Sequence, residues 1–268
     1  NKYTPREFDT RAGYFHIDYM DFTSPIGEPM VKKYISRHRL EKKDPTAAVS
    51  EVVEPIVYYL DRGTPEPVRS ALLEGGNWWA QAYEAAGFKN AYRVELMPEG
   101  ADLMDVRYNV IQWVHRSTRG WSYGSSIRDP RTGEILKGQV SLGSLRVRQD
   151  YLIAQGLIQP FEEGKPVDPR MMELALTRLK QLSAHEIGHT IGLAHSYATS
   201  ANERSSVMDY PHPVITEDAK GNLDFSNIYD LKIGEWDKLA ITYGYGTPEP
   251  GQSEEEFLEK TLQATYAA

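Results

Sequence analysis

The run His185-Glu186-Ile187-Gly188-His189-Thr190-Ile191-Gly192-Leu193-Ala194-His195 places three imidazoles, one carboxylate and a turn-forming glycine within eleven residues. His185 and His189 are four apart, so on a helix they stack on one face, about 5–6 Å apart at Cβ. Two ring nitrogens at that spacing reach one metal ion at about 2.0–2.1 Å, the distance zinc takes to imidazole. Glu186 leans over the same side, close enough to take a proton from a water at the metal's open position. Gly192 admits a left-handed conformation, so the helix can stop there and the chain can return His195 as a third ligand. A surface helix that happens to carry two histidines is the ordinary alternative. With seven histidines in the chain, these five identities at these offsets should arise by chance in about 1 in 30,000 shuffled sequences. The spacing therefore reads as a metal-activated hydrolytic site. Imidazoles also suit copper, nickel and iron.

A rigid element must carry these groups. Asp168 is a good N-cap and Pro169 suits the first helical position. Residues 171–184 that follow are rich in strong helix formers. Met172, Leu176, Leu179, Leu182 and Leu193 supply an apolar face. The expectation is a helix over 169–192, about six to seven turns long, with the ligands near its C-terminal end.

Met208 lies thirteen residues past His195, in Ser206-Val207-Met208-Asp209-Tyr210. With this second signal the chain resembles the metzincins, a clan of zinc-dependent metalloendopeptidases marked by the long histidine motif and a downstream methionine turn. The resemblance implies that Met208 packs as a floor beneath one catalytic zinc ion. It implies that Tyr210, as in the astacin-like and serralysin-like branches, ligates zinc or stabilises the oxyanion. Astacins carry disulfides, and this chain has no cysteine; serralysins carry glycine-rich calcium repeats, and none is here. A closer resemblance is to the large bacterial zinc-dependent metalloproteases common in gut Bacteroidetes. It is carried by residues 34–44, 83–90, 129–135 and the zinc motif, and it spans most of residues 30–245. It implies an α+β metzincin-like catalytic domain: a twisted mixed sheet with an antiparallel edge strand, a long active-site helix and a smaller, mostly helical C-terminal lower half. It also implies an extracytoplasmic or secreted bacterial protein acting on protein or peptide substrates.

The remaining segments fill that frame. Residues 1–268 read as a single catalytic domain, with 1–50 a wrap or linker, 51–195 an upper subdomain and 196–268 a lower one. Residues 55–60, 92–96, 106–114 and 138–144 read as strands, and 129–133 as a turn. A helix is expected from Thr64 and Pro65 to Gly87, with Gly75-Gly76 allowing close approach to a neighbour. Trp78, Trp79 and Tyr83 in it read as core. In the resembled clan the strand before the zinc helix is the edge that pairs with a peptide, so residues 138–144 are assigned as the substrate edge. Glu235–Gly244 reads as a helix, and Ser253 with Glu256 as a capping box. Asp218–Asp224 is a weak calcium candidate that lacks the ligand count of a recognisable loop and reads as a turn. His212 reads as a loop residue rather than as lining of a specificity pocket, and His16, His38 and His115 as structural.

Composition sets limits. The net charge of −8 argues against a nucleic-acid partner. The basic run of Lys32, Lys33, Arg37, Arg39, Lys42 and Lys43 alternates with apolar residues and reads as a partly exposed strand. No apolar stretch approaches the roughly 20 residues of a membrane span. The absence of cysteine excludes a thiolate metal site and latency through a cysteine on the zinc. The chain begins Asn-Lys-Tyr and is expected to be part of a longer multidomain protein. Two other functions share these residues: a zinc hydrolase acting on a non-peptide amide, and a zinc-bearing surface module that binds without proteolysis.

Overall fold

The computed structural model describes residues 3–118, 120–158, 164, 166–202 and 204–265. A hairpin of β1 (His16–Met20) and β2 (Val31–Ile35) opens the chain, followed by β3 (Arg37–His38), β4 (Ser50–Glu51) and β5 (Ile56–Leu60). Helices α1 (Val68–Asn77) and α2 (Ala80–Ala85) come next. They lead to β6 (Phe88–Lys89), β7 (Tyr92–Leu96), β8 (Asn109–Val114), β9 (Tyr123–Arg128) and β10 (Glu134–Gly143). Helices α3 (Leu145–Ile158) and α4 (Arg170–Thr190) complete the upper half. The lower half holds a small hairpin, β11 (Thr216–Glu217) with β12 (Leu223–Asp224), then α5 (Glu235–Tyr245) and α6 (Glu254–Thr265).

The main sheet runs β3-β10-β8-β5-β7, with β9 added on β10. Pairings are parallel except β9 with β10. This is a mixed, mostly parallel sheet with an antiparallel edge strand, as the resemblance implied. Nearly every side chain of β10 is buried, which fits a strand paired on both sides and covered on both faces. That corrects the substrate-edge assignment. Residues 138–144 lie inside the sheet, with Gln139–Gly143 on β8 and Gly138–Ser141 on β9. The edge is β9, whose outward residues are largely exposed. Its Gly- and Ser-rich sequence gives no apolar alternation, because one edge and much of one face meet water.

The helices carry three further corrections. The expected helix over 64–87 is two, because the chain tightens at Trp78 (N–H to Gly75 O, 3.2 Å) and Trp79 turns into the core. Its start is Val68, after a Pro65-Glu66-Pro67 turn. A third helix, α3, intervenes between β10 and α4; its sequence mixes charge and apolar residues without a clear stripe. The strand expected over 106–114 begins at Asn109. Of the expected apolar face, Leu179, Leu182 and Leu193 are buried and Leu176 half-buried, but Met172 is exposed and Met171 takes its place in the core. The capping and turn readings hold. Asp168 accepts the Arg170 N–H at 2.9 Å, and Ser253 and Glu256 exchange capping hydrogen bonds of 3.1 and 3.2 Å. The turn before β10 closes with Gly133 N–H on Asp129 O at 2.9 Å.

Helix α4 is clamped from behind. A Cβ at Gly75 would collide with the backbone carbonyl of Lys180, so α1 lies against α4 only because that position is glycine. Ser183 Oγ donates to Leu72 O at 2.8 Å, and the fully buried Trp79 donates its indole N–H to Ala184 O at 2.8 Å. Residues 6–14 pack on α5 and the turn after it. Buried Arg6 donates to the carbonyls of Tyr243 and Gly246, and Tyr14 OH donates to Ala240 O. A second, smaller apolar cluster of Ala154, Met171, Leu174 and Ile228 joins α3 and the start of α4 to the lower half. No helix among the described residues is long and apolar enough to cross a membrane.

Candidate metal centre

Helix α4 ends where the glycine predicted. Gly192 has φ +113°. Leu193 N–H reaches Gly188 O at 2.9 Å and Gly192 N–H reaches His189 O at 3.2 Å, the paired bonds of a Schellman turn. Residues 13–15 then staple the returning chain: Phe15 N–H to Gly192 O at 2.7 Å, and Ala194 N–H to Gly13 O at 2.8 Å. They thus hold the segment that delivers His195, a role no local signal in residues 1–50 disclosed.

The three imidazoles converge. Their candidate ligand atoms all lie within 4.8 Å of one another, and among the described residues this is the one such group found. His185 Nδ1 lies 2.7 Å from Val207 O and His189 Nδ1 lies 2.8 Å from Leu193 O. A carbonyl only accepts, so each Nδ1 carries the proton and each Nε2 keeps a lone pair for a ligand. His189 Nε2 and His195 Nε2 are 3.1 Å apart. Two ligands about 2.0–2.1 Å from one tetrahedral ion would be roughly 3.4 Å apart, so the donor set fits zinc. Burial lowers all three histidine pKa values, that of His185 to about 3, which keeps the rings neutral and able to ligate. His195 Nδ1 meets the Tyr197 hydroxyl at 2.9 Å, a partner the sequence reading missed.

Glu186 is buried beside them. Burial pushes its carboxyl up to about 7, opposed by Arg178, by the Gly124 backbone N–H and by Arg146. Edge strand β9 crosses α4 here: a Cβ on Gly124 would collide with the Glu186 carbonyl and crowd His189. Tyr210 is exposed over the site, its ring 4.5 Å from His195 and 5.4 Å from His185. Met208 is fully buried against α4, and a Cβ on Gly188 would strike its sulfur. His212 is exposed in the loop after Met208. His38 is buried on Tyr58 OH at 3.0 Å and His115 contacts Ser144 Oγ at 3.0 Å, while His16 stacks near Phe8; none joins the triad. In the calcium candidate, Asp218 takes the N–H groups of Lys220 and Asn222 and the Asn222 amide, which is a plain turn.

Residues 206 and 207, beside Met208, are fixed by a residue the sequence reading did not single out. Asp237 on α5 is wholly buried. It accepts Ser206 Oγ at 2.7 Å, Val207 N–H at 2.8 Å and Gly234 N–H at 2.9 Å. Val207 O in turn orients His185. Burial outweighs these donors and pushes Asp237 up to about 6. A raised carboxyl contributes fully below its unfolded value and loses that contribution as pH rises through about 6. Asp237→Asn is therefore expected to flatten the fall in Tm between about pH 4 and about pH 6.5. The amide oxygen can still accept the two N–H donors while its NH2 donates to Ser206 Oγ, so Tm should change little at the lower pH. Scanning fluorimetry at the two pH values checks this, and an unchanged slope would refute it.

A long helix bearing two convergent histidines, a third returned by a glycine turn, and Met208 buried against the same helix are the features by which the sequence resembles the metzincins. In agreement, residues 167–268 match the family model described as Met-zincin, a region covering α4, the turn and the lower half. The match supports a metzincin-type zinc metalloprotease, and with it zinc as the metal the three histidines could bind. Residues 1–43 match a domain of unknown function (DUF5117). No curated protein matches the chain. A solved structure titled "Structure of myroilysin" aligns at 12% identity with a TM-score of 0.32, covering 72% of this chain and 93% of that one.

Proposed function

We propose that this chain is a zinc-dependent endopeptidase, hydrolysing internal peptide bonds with Glu186 as general base. The observation that carries the reading is the joint geometry of three neutral imidazoles with Nδ1 fixed on carbonyls and a buried carboxylate at their side. His185, His189 and His195 would hold the ion through Nε2, over Met208 as a floor. Zinc, when bound, supplies a +2 charge that acidifies water and polarises a carbonyl. Glu186 takes the proton of the attacking water and passes it to the leaving amine. The Tyr210 hydroxyl, above the histidines, donates to the oxygen anion that develops at the scissile carbonyl. The exposed edge of β9 binds the peptide backbone as an added strand, and its contact with Glu186 puts the scissile bond at Gly124. We place the enzyme outside the cytoplasm, following the resemblance.

The test is digestion of a mixed peptide library with metal content measured alongside. The expected result is one zinc per chain, cleavage at internal bonds, and loss of cleavage and of thermal stability on chelation, both restored by zinc. Trimming of chain ends alone, or deacylation without peptide cleavage, would refute the endopeptidase reading. Absence of stoichiometric metal would refute the site.

A further inference from the structure

Two cations beside Glu186 have no part in that mechanism. Arg178 lies two turns upstream on α4, and Arg146 lies in the first turn of α3. Both act on the Glu186 carboxylate, and Arg178 also acts on His185 and Tyr210. The pair is built in. Arg178 donates to Gln181 Oε1, and its guanidinium lies 5.7 Å from the Tyr229 ring centroid. Gln181 Nε2 donates to Val207 O at 3.3 Å, the carbonyl that orients His185. Arg146 Nε holds the buried Asp150 at 3.1 Å. Asp150 is thus one carboxylate between two guanidiniums, and its own pKa is raised by burial. Asp150 offsets one of the two positive charges, and the other faces Glu186. Apolar side chains would pack between α3 and α4 at lower desolvation cost, so the charge is not needed to join these helices. Arg178 is half-buried and Arg146 is partly open to solvent.

The sheet says which part of a peptide passes there. Strand β9 starts at Tyr123, paired with Ser141 near the end of β10, from which α3 and Arg146 follow directly. It ends at Arg128, whose guanidinium bonds Ser36 Oγ at 3.0 Å; Ser36 abuts Gly192, where α4 stops. A peptide antiparallel to β9 enters over the Arg128 end, presents its scissile bond at Gly124, and leaves past Tyr123 toward Arg146 and Arg178. We infer that Arg178 and Arg146 form a subsite that selects an acidic side chain immediately on the leaving-amine side of the scissile bond. The inference rests on the endopeptidase reading and names the substrate class for it. A carboxylate fits the planar donor fork of arginine, whereas an amide of the same shape brings no charge and a donor where an acceptor is needed.

The experiment uses internally quenched peptides identical except for Glu, Gln or Leu at that position. Wild type is expected to favour Glu over Gln by about ten- to a hundred-fold in kcat/KM. In Arg178→Gln the Glu/Gln ratio should collapse toward unity, and in Arg146→Gln it should shrink. Arg178→Lys should keep part of it. A wild-type ratio near unity would overturn the inference. So would an Arg178→Gln enzyme that loses rate on all peptides alike with its ratio intact, the mark of a merely structural arginine. Should Arg178→Gln not fold, the more open Arg146→Gln decides. Should wild type bind zinc yet cleave nothing, the endopeptidase reading fails separately. Fluorescence anisotropy of the Glu and Gln peptides on the zinc-loaded protein then decides the subsite, equal affinity refuting it.

Discussion

Glu186→Gln is expected to lower peptide hydrolysis by about 10²–10⁴-fold while leaving zinc bound. Glutamine fills the same volume against Gly124 and keeps the buried surface intact, but it cannot take a proton from water. The three imidazoles do not depend on it, since His185 and His189 are oriented by Val207 O and Leu193 O. Stability should not fall. Burial disfavours the charged carboxylate of Glu186, and an amide carries no such penalty. The measurement is kcat/KM on an internally quenched peptide, with metal content and Tm on the same preparation. Near-wild-type turnover at full zinc loading would remove Glu186 from the mechanism. Lost turnover with lost zinc would mean that the variant had damaged the site.

Gly192→Ala should be the most damaging single methyl group in the chain. At φ +113° an L side chain is strained by about 1–3 kcal/mol. The added Cβ also meets the Ser36 carbonyl oxygen, which is backbone and cannot swing aside. Relief requires the turn to open, and two candidate ligands depend on that turn. It delivers His195, and it carries Leu193 O, which holds His189. Zinc affinity is expected to fall by about 10–100-fold or more, and Tm by about 5–10 °C. Competition titration with a zinc chelator and scanning fluorimetry read the two effects. Wild-type values for both would mean that the turn does not position the ligands.

The candidate site was legible because its logic is local. The i, i+4 spacing of His185 and His189, the Asp168 cap and the left-handed Gly192 each follow from the backbone geometry of a few consecutive residues. The Ser253 and Glu256 capping box and strand β7 were legible for the same reason. The expected Gly75 approach also held, since paired glycines inside a helix carry a cost that close packing explains. Strand β9 was not legible: an edge strand half in water shows no apolar period. Missing it put the expected substrate edge one strand inward, onto β10. Helix α3 was missed because it buries only a few side chains, Asp150 and Ala154 among them.

The amino-acid sequence alone pointed to the proposed chemistry: which groups could ligate a metal, which could take a proton, and where the helix must stop. Tertiary structure decided what surrounds them. It placed β9 at the Glu186 carboxylate, stapled the His195 turn with residues 13–15, and set Asp237 against Ser206 and Val207. It also brought Arg146 to Arg178. Each of these joins residues on separate elements, many of them far apart in the chain. Such contacts are selected by the burial and hydrogen bonding of the whole fold, and short-range spacing carries no record of them.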